Sequence, residues 1–199
     1  MILTYFGMNA IAGIGLYITL QTSQLAMCFG ALMAIGGYTS AVMSVKLAMP
    51  FPIALLAGAV VPALVGALLA GLNLRIKGIY LAVSTFAFGE VMVVIFMNNT
   101  YLGGAQGIGG IPLKTTPLLV FIILGIVTYF CIRLDKSRIG IALRATGDNE
   151  TTASAMGINV AWMKVLSFAI GALITGLSGS LRVHYIGTMR KAGHDNIRT

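Results

Sequence analysis

The sequence predicts an all-α fold: a polytopic transmembrane helical bundle of about six spans, forming a single domain over residues 1–199. Two observations carry that prediction. Charge is absent from residues 1–45, 47–74, 91–113 and 115–132, whereas Arg133 to Lys164 holds eight charged side chains. The chain is also 58% hydrophobic, with a mean hydropathy of +0.94. A hydrocarbon core about 30 Å thick is crossed by a helix of about 20 apolar residues. The apolar residues here form continuous runs, not the alternating segments of about ten that barrel strands show.

The spacing of the runs places helices over 4–20, 26–45, 53–73, 79–97, 117–133 and 164–183. No lysine or arginine precedes the first run, so Met1 to Leu20 lacks the basic leader of a cleaved secretory signal and reads as a retained span. Pro50 and Pro52 punctuate the turn into the third span. Pro62 falls inside that span, where neighbours that satisfy the freed carbonyl make it a bend and not a break. The sixth span carries small residues four apart, namely Gly171/Thr175, Ala172/Gly176, Thr175/Gly179 and Gly176/Ser180. Such ladders let backbones approach closely in lipid, and ordinary intramembrane packing explains this one better than a dedicated dimer face.

A net charge of +8 and a pI near 9.8 suggest nucleic acid in a soluble domain, but no aromatic-studded basic stripe accompanies them. The bases instead flank the apolar runs, which is the positive-inside pattern. Arg75 and Lys77 lie between spans three and four, and Arg133, Lys136, Arg138, Arg144 and Lys164 between five and six, against only Lys46 and Lys114 in the alternate loops. The two richer loops are therefore expected on the cytoplasmic side, with the N-terminus outside. That topology also puts the atypical tail, 184–199, outside despite Arg190, Lys191 and Arg198. Cys28 and Cys131 lie in or beside apolar spans, where thiols act as small hydrophobes, so neither a disulfide framework nor a metal site is indicated.

Four features invite chemistry. Within the polar loop at about 134–163, the stretch Ile141 to Asn159 reads as a short helix stopped by glycine before the last span; Asp148 and Glu150 suit a helix N-terminus and Gly157 a C′ position. A surface helix of this kind can dock in a groove on a soluble partner, or remain solvated, and the residues alone support both. Glu90 is the only acidic residue in any predicted span, and its helical neighbours Phe86, Ala87, Val93 and Val94 offer it no partner. An intramembrane carboxylate is costly, so packing against another helix and a place on a translocation path are the two readings. The glycine-rich run from Gly103 to Pro112 ends in Leu113-Lys114, without the Gly-Lys pair of a P-loop, so it encodes no nucleotide site and reads as a flexible connector or as an external mouth. Gly176-Leu177-Ser178-Gly179 resembles the serine motif of rhomboid proteases. That chemistry needs a histidine in reach of the serine, and His184 is about 9 Å of helical rise away.

Beyond these features, the polar loop resembles the cytoplasmic coupling loop of permeases from branched-chain amino acid ABC importers. Three other segments agree in order. Gln24-Leu-Ala-Met-Cys-Phe-Gly through Gly36-Gly37-Tyr38 is similar to that family's early helix. Leu74-Arg-Ile-Lys-Gly78-Ile-Tyr80-Leu with Ser84-Thr-Phe-Ala-Phe-Gly89-Glu90 is similar to its next signature, and Gly103-Gly104-Ala-Gln-Gly107-Ile-Gly-Gly110-Ile-Pro112 to its external loop. Together they cover most of residues 20–183. The chain departs from the family at Ala26, Cys28 and Phe29, where members commonly carry Ser, Gly and His. Members also continue past the equivalent of His184-Tyr185, so the resemblance implies a C-terminally truncated permease.

The resemblance further implies a non-enzymatic subunit that lines part of a path for branched-chain amino acids or similar small solutes. Its expected location is a bacterial or archaeal cytoplasmic (inner) membrane. Its expected partners are a second permease subunit, two ATP-binding cassette subunits beneath the coupling loop, a periplasmic or extracellular solute-binding protein and the lipid bilayer, with no nucleic acid. No cofactor is expected on the chain itself, because ATP belongs to the partner subunits. The implied substrate path includes Gln24, Tyr38 and Glu90; the ATPase-coupling loop includes Arg144, Asp148, Glu150, Ala155 and Gly157; the external loop includes Gly103, Gly104, Gly107 and Gly110. The competing readings are an ion-coupled secondary transporter in which Glu90 carries the ion and, more remotely, an intramembrane serine protease.

Overall fold

The computed structural model describes residues 2–74, 76, 78–99, 108–112 and 115–187. The described residues form eight helices: α1 (Ile2–Leu20), α2 (Phe29–Val45), α3 (Phe51–Leu72), α4 (Ile79–Asn98), α5 (Pro117–Asp135), α6 (Arg138–Asp148), α7 (Glu150–Ala155) and α8 (Val160–Ile186). Helices α1, α3, α4, α5 and α8 are long and apolar enough to cross a membrane, and α2 is a shorter apolar helix. Each of the six expected spans is an apolar helix, five of them of crossing length, with the last span displaced at both ends and the second at its start. The last span is longer than expected, running over 160–186, about 40 Å at 1.5 Å per residue. The second begins at Phe29 and not at residue 26, because the chain before it is extended.

Helix α8 is the axis of the bundle, packed by α1, α2 and α3, while α5 leans on α1 and α4 on α2. Its small-residue ladder faces inward and is used within the chain, as the packing reading expects. A Cβ on Gly171 would overlap the Gly15 carbonyl on α1, one on Gly179 would overlap the Met33 carbonyl on α2, and one on Gly176 would strike Pro62 on α3. Gly15, Gly36, Gly58 and Gly66 return these contacts from the other three helices. Larger side chains fill the space on either side of the seam. Met8, Ile11 and Ile18 pack with Val120, Val127, Ile174 and Leu181 on the α1–α5 side. On the α2–α3 side, Leu32, Ile35 and Ala70 pack with Phe168 and Ala172.

Pro62 leaves α3 continuous, as expected of a bend. Proline removes the donor to the carbonyl four residues back, here Gly58. That oxygen is directed at Gly36 and Gly176, where an added Cβ would sit 2.6 and 2.7 Å from it. The carbonyl released by Pro62 therefore faces glycine backbone, where no side chain stands in its way.

The caps follow the sequence. Thr116, Ser137, Asn149 and Asn159 each accept a backbone N–H at the start of α5, α6, α7 and α8. Gly157 adopts φ +83, Gly157 N–H bonds Ser154 O and Ile158 N–H bonds Ala153 O, which is the Schellman pattern expected of a C′ glycine. Asp148 departs from expectation: it is the last residue of α6, and only Glu150 stands at a helix N-terminus. The reason is Asn149, whose extended backbone (φ −156) and capping side chain split one expected helix into two.

The close approach on α8 sets a prediction. Gly36→Val and Gly176→Val each force bulk into helix backbone, and each should destabilise the detergent-solubilised protein by about 1–3 kcal/mol. Gly89→Ala, where nothing lies within 4 Å of the new Cβ, should stay within about 0.5 kcal/mol of the parent. Thermal unfolding monitored by size-exclusion fluorescence separates the two groups.

Candidate functional site

The loop after α5, the α1–α2 link and the α3–α4 turn meet at one end of the bundle, the end that positive-inside topology places in the cytoplasm. Lys164, near the start of α8, is 6% exposed, and its Nζ lies 2.7 Å from Glu150 Oε1. A cavity of about 30 Å³ borders this pair, lined by Ser23, Gln24, Asn73 and Gly78 together with Glu150 and Lys164. The first residue of α7 is thus fastened to the central helix by an ion pair whose lysine is buried and whose carboxylate is partly exposed.

The link itself is pinned by side chains. After α1 the chain turns at Ser23 (φ +53), and burial then alternates: Thr22, Gln24, Ala26 and Cys28 point in, Ser23, Leu25 and Met27 out. Gln24 Nε2 donates to Thr22 Oγ1 at 2.8 Å and to Lys164 O at 3.0 Å. Thr22 Oγ1 also shares a proton with Ser167 Oγ at 2.9 Å. The Met27 amide donates to Thr85 Oγ1 on α4 at 3.0 Å, and Ser23 Oγ donates to the Gly147 carbonyl on α6 at 2.9 Å. Asp135 closes the group: its carboxylate accepts from Gln21 Nε2 at 2.5 Å and from Tyr17 OH at 3.2 Å, and its carbonyl accepts from Arg144 Nη2 at 2.7 Å.

Of the expected coupling residues, Glu150 is anchored inward, while Arg144, Asp148, Ala155 and Gly157 are exposed, with Met156 beside them. The expected path residues are not gathered in one place. Gln24 belongs to the extended link and not to a helix, and it lies at the end of the bundle that carries the α6–α7 loop, with its amide nitrogen committed to the protein. Tyr38 is half-buried on α2, its ring stacked on Phe96 of α4 at 4.5 Å. Glu90 is exposed near the middle of α4, about 17 Å along the helix from Ile79.

At the opposite end, Ile108 and Ile111 pack against Ala41 and Val183. Gly110 adopts φ +79 there, a left-handed conformation that suits glycine. Gly103, Gly104 and Gly107 lie outside the described residues. His184 is fully buried; its Nδ1 donates to the Pro112 carbonyl at 3.1 Å, so the neutral ring's Nε2 accepts from Ser40 and Ser44 at 2.9 and 3.2 Å. Ser178 Oγ donates to the Met8 carbonyl at 2.7 Å. These partners hold Ser178 and His184 on separate contacts, and the serine-protease reading loses its dyad.

Sequence reasoning missed Thr22, Thr85, Lys164 and Ser167 as members of one cluster. The available signal was a hydroxyl or a base breaking an apolar run, which marks a residue without naming its partner.

Residues 1–196 match the family model for the permease component of branched-chain amino acid transport systems. The high-affinity branched-chain amino acid transport system permease protein LivM of Escherichia coli strain K12 is 29% identical, over 86% of this chain and 49% of its own length. LivM of Salmonella typhimurium matches equally. The ribose import permease protein RbsC of Escherichia coli strain K12 is 27% identical, over 92% of this chain and 60% of its own length. The chain therefore spans about half the length of the curated relatives it matches first. No solved structure matches it.

The Glu150–Lys164 pair yields a charge test. Glu150→Lys leaves Lys164 buried beside a second cation and should lower stability by about 1.5–3 kcal/mol. The double exchange Glu150→Lys with Lys164→Glu should recover at least half of that loss, read from the midpoints of thermal unfolding.

Proposed function

This chain belongs to the family of branched-chain amino acid transport system permease components, and on that footing we propose that it is a permease subunit of an ATP-driven importer for small solutes. The observation that carries the reading is the α6–α7 ledge: two short helices at the basic end of a multi-pass membrane protein, exposed on one side and fastened to α8 on the other. In the proposed assembly a second permease subunit completes the path. Two ATP-binding cassette subunits meet the ledge through Arg144, Asp148 and Ala155, and a periplasmic or extracellular solute-binding protein delivers solute to the opposite end, where Gly103, Gly104, Gly107 and Gly110 belong to the external loop. The host is a bacterial or archaeal cytoplasmic membrane. ATP is bound by the partners, and this chain needs no cofactor of its own.

Branched-chain amino acids are the first solutes to test and ribose the second, since the relatives named for these two solutes match at similar identity. Tyr38 and Glu90 are the proposed path residues, because α2 and α4 meet at the Tyr38–Phe96 stack and Glu90 leaves α4 toward the outside of this chain.

One observation favours a second reading. An exposed carboxylate in mid-span is what an ion-coupled carrier uses. Uptake of labelled leucine into cells or proteoliposomes separates the two. The importer requires ATP, tolerates a protonophore and retains most uptake in Glu90→Gln. A coupled carrier survives ATP depletion, collapses with the protonophore and is abolished by Glu90→Gln. For the ledge, Ala155→Trp should uncouple ATP hydrolysis from uptake at unchanged membrane abundance, measured as phosphate released per leucine imported; normal coupling in this variant would remove the ledge from the ATPase contact.

A further inference from the structure

We infer that the extended α1–α2 link, residues 21–28, is a transmission strap that carries displacement of the α6–α7 ledge to α8 and α4, with Gln24 as its positioning residue. The inference rests on the proposed meeting of the ledge with ATP-binding subunits.

Residues 21–23 form a turn bonded back to the Tyr17, Thr19 and Leu20 carbonyls of α1, whereas 24–27 are extended, so the position of that stretch is set by what its side chains and the Met27 amide bind on other elements. For this strap those partners lie on three different elements. On the ledge side, Ser23 Oγ donates to the Gly147 carbonyl at 2.9 Å. Gly147 also brings α6 so close that a Cβ there would overlap the Gln21 carbonyl and approach Thr22 Cα at 3.3 Å. The contact is steric as well as polar, so α6 cannot advance without moving the strap.

On the α8 side, Gln24 Nε2 reaches the Lys164 carbonyl at 3.0 Å and Thr22 reaches Ser167 at 2.9 Å. Both partners are in the first turns of the helix that α1, α2 and α3 surround. On the α4 side, the Met27 amide is held by Thr85 Oγ1, a side chain with no exposed surface that also returns its own proton to the carbonyls of Leu81 and Ala82. The strap then runs directly into α2 at Phe29. A push on the ledge therefore has a continuous short route into three spanning helices, and Gln24 sits at its middle, 5% exposed.

The ion pair between Glu150 and Lys164 fastens α7 to α8 separately. Loosening the strap should therefore leave the ledge attached and ATP-binding subunits able to dock, while the stroke is lost. That separates a positioning role from a merely structural one.

The test uses the chain reconstituted with its sister permease and ATP-binding subunits in proteoliposomes, reading ATP hydrolysed per solute imported. Gln24→Ala, and the isosteric Thr85→Val at the other end of the strap, should each raise that ratio about three- to tenfold, with co-purification of the ATP-binding subunits unchanged. In a background carrying Cys28→Ala and Cys131→Ala, the pair Thr22→Cys with Ser167→Cys replaces the 2.9 Å hydroxyl contact by a linkable one. Oxidation should return the ratio of Gln24→Ala to the parental value, and reductant should raise it again. A parental ratio in Gln24→Ala and Thr85→Val, or a raised ratio that cross-linking does not lower, overturns the strap alone. An unmodified chain that fails to co-purify with ATP-binding subunits overturns the permease reading beneath it.

Discussion

Everything in this bundle depends on how closely three helices approach the backbone of α8. Lipid tails are as apolar as leucine, so no hydrophobic force draws spanning helices together, and packing contacts with interhelical hydrogen bonds must do so. The chain meets that requirement with glycine on both sides of each crossing: Gly15 against Gly171, and Gly36 and Gly58 against Gly176. Hydroxyls then bond across the shortened gaps, Ser178 to the Met8 carbonyl on α1 and Ser180 to the Gly36 carbonyl on α2. Neither bond forms if the helices stand one methyl group further apart. Pro62 belongs to the same device, because the carbonyl it releases on Gly58 is turned into the glycine seam.

A seam made this way is rigid and directional, and it fixes what the ends of the bundle are able to do. At the outer end His184 ties α8 to α2 and to the segment before α5 through three hydrogen bonds. At the end that carries the α6–α7 ledge the ties are more numerous and more polar, and they converge on the non-helical link between α1 and α2. That difference is physically sensible for the proposed permease. In the proposed assembly the end away from the ledge holds a surface in place, whereas the ledge end is where movement of a docked motor is proposed to become movement of spanning helices.

Much of this was legible in the sequence, and the limit of legibility has a clear cause. The six spans follow from runs of apolar residues, and the Schellman glycine at 157 follows from local chemistry, because it depends on neighbours within a few positions. The inward use of the Gly171 to Ser180 ladder was legible for the same reason: small residues four apart have one dominant use in lipid. The start of α2 was not, since Gln24 to Cys28 is apolar enough to continue a helix and is held extended only by Lys164, Ser167 and Thr85, 58 to 143 positions away. Asp148 was misplaced by a subtler competition, in which Asn149 ended one helix in order to cap the next. The relative placement of the candidate path residues was the least legible. Gln24, Tyr38 and Glu90 share a family resemblance and a polar character, and neither property says which end of a bundle, or which side of a helix, a residue occupies.

The unequal burial of the helices supplies the last step. Helix α8 is buried along much of its length, whereas α4 packs through Leu81, Ala82 and Thr85 near its start and then along one face through Phe88, Met92 and Phe96. Its other face presents Phe86, Val93 and Val94 to the outside together with the Glu90 carboxylate. Hydrocarbon accommodates the first three and penalises the fourth by about 3 kcal/mol or more at mid-depth, so this stretch of α4 is better suited to protein or water than to acyl chains. Helix α4 is thus the least buried of the five long apolar helices, and the strap reaches it at Thr85, in the turns where its own burial is deepest.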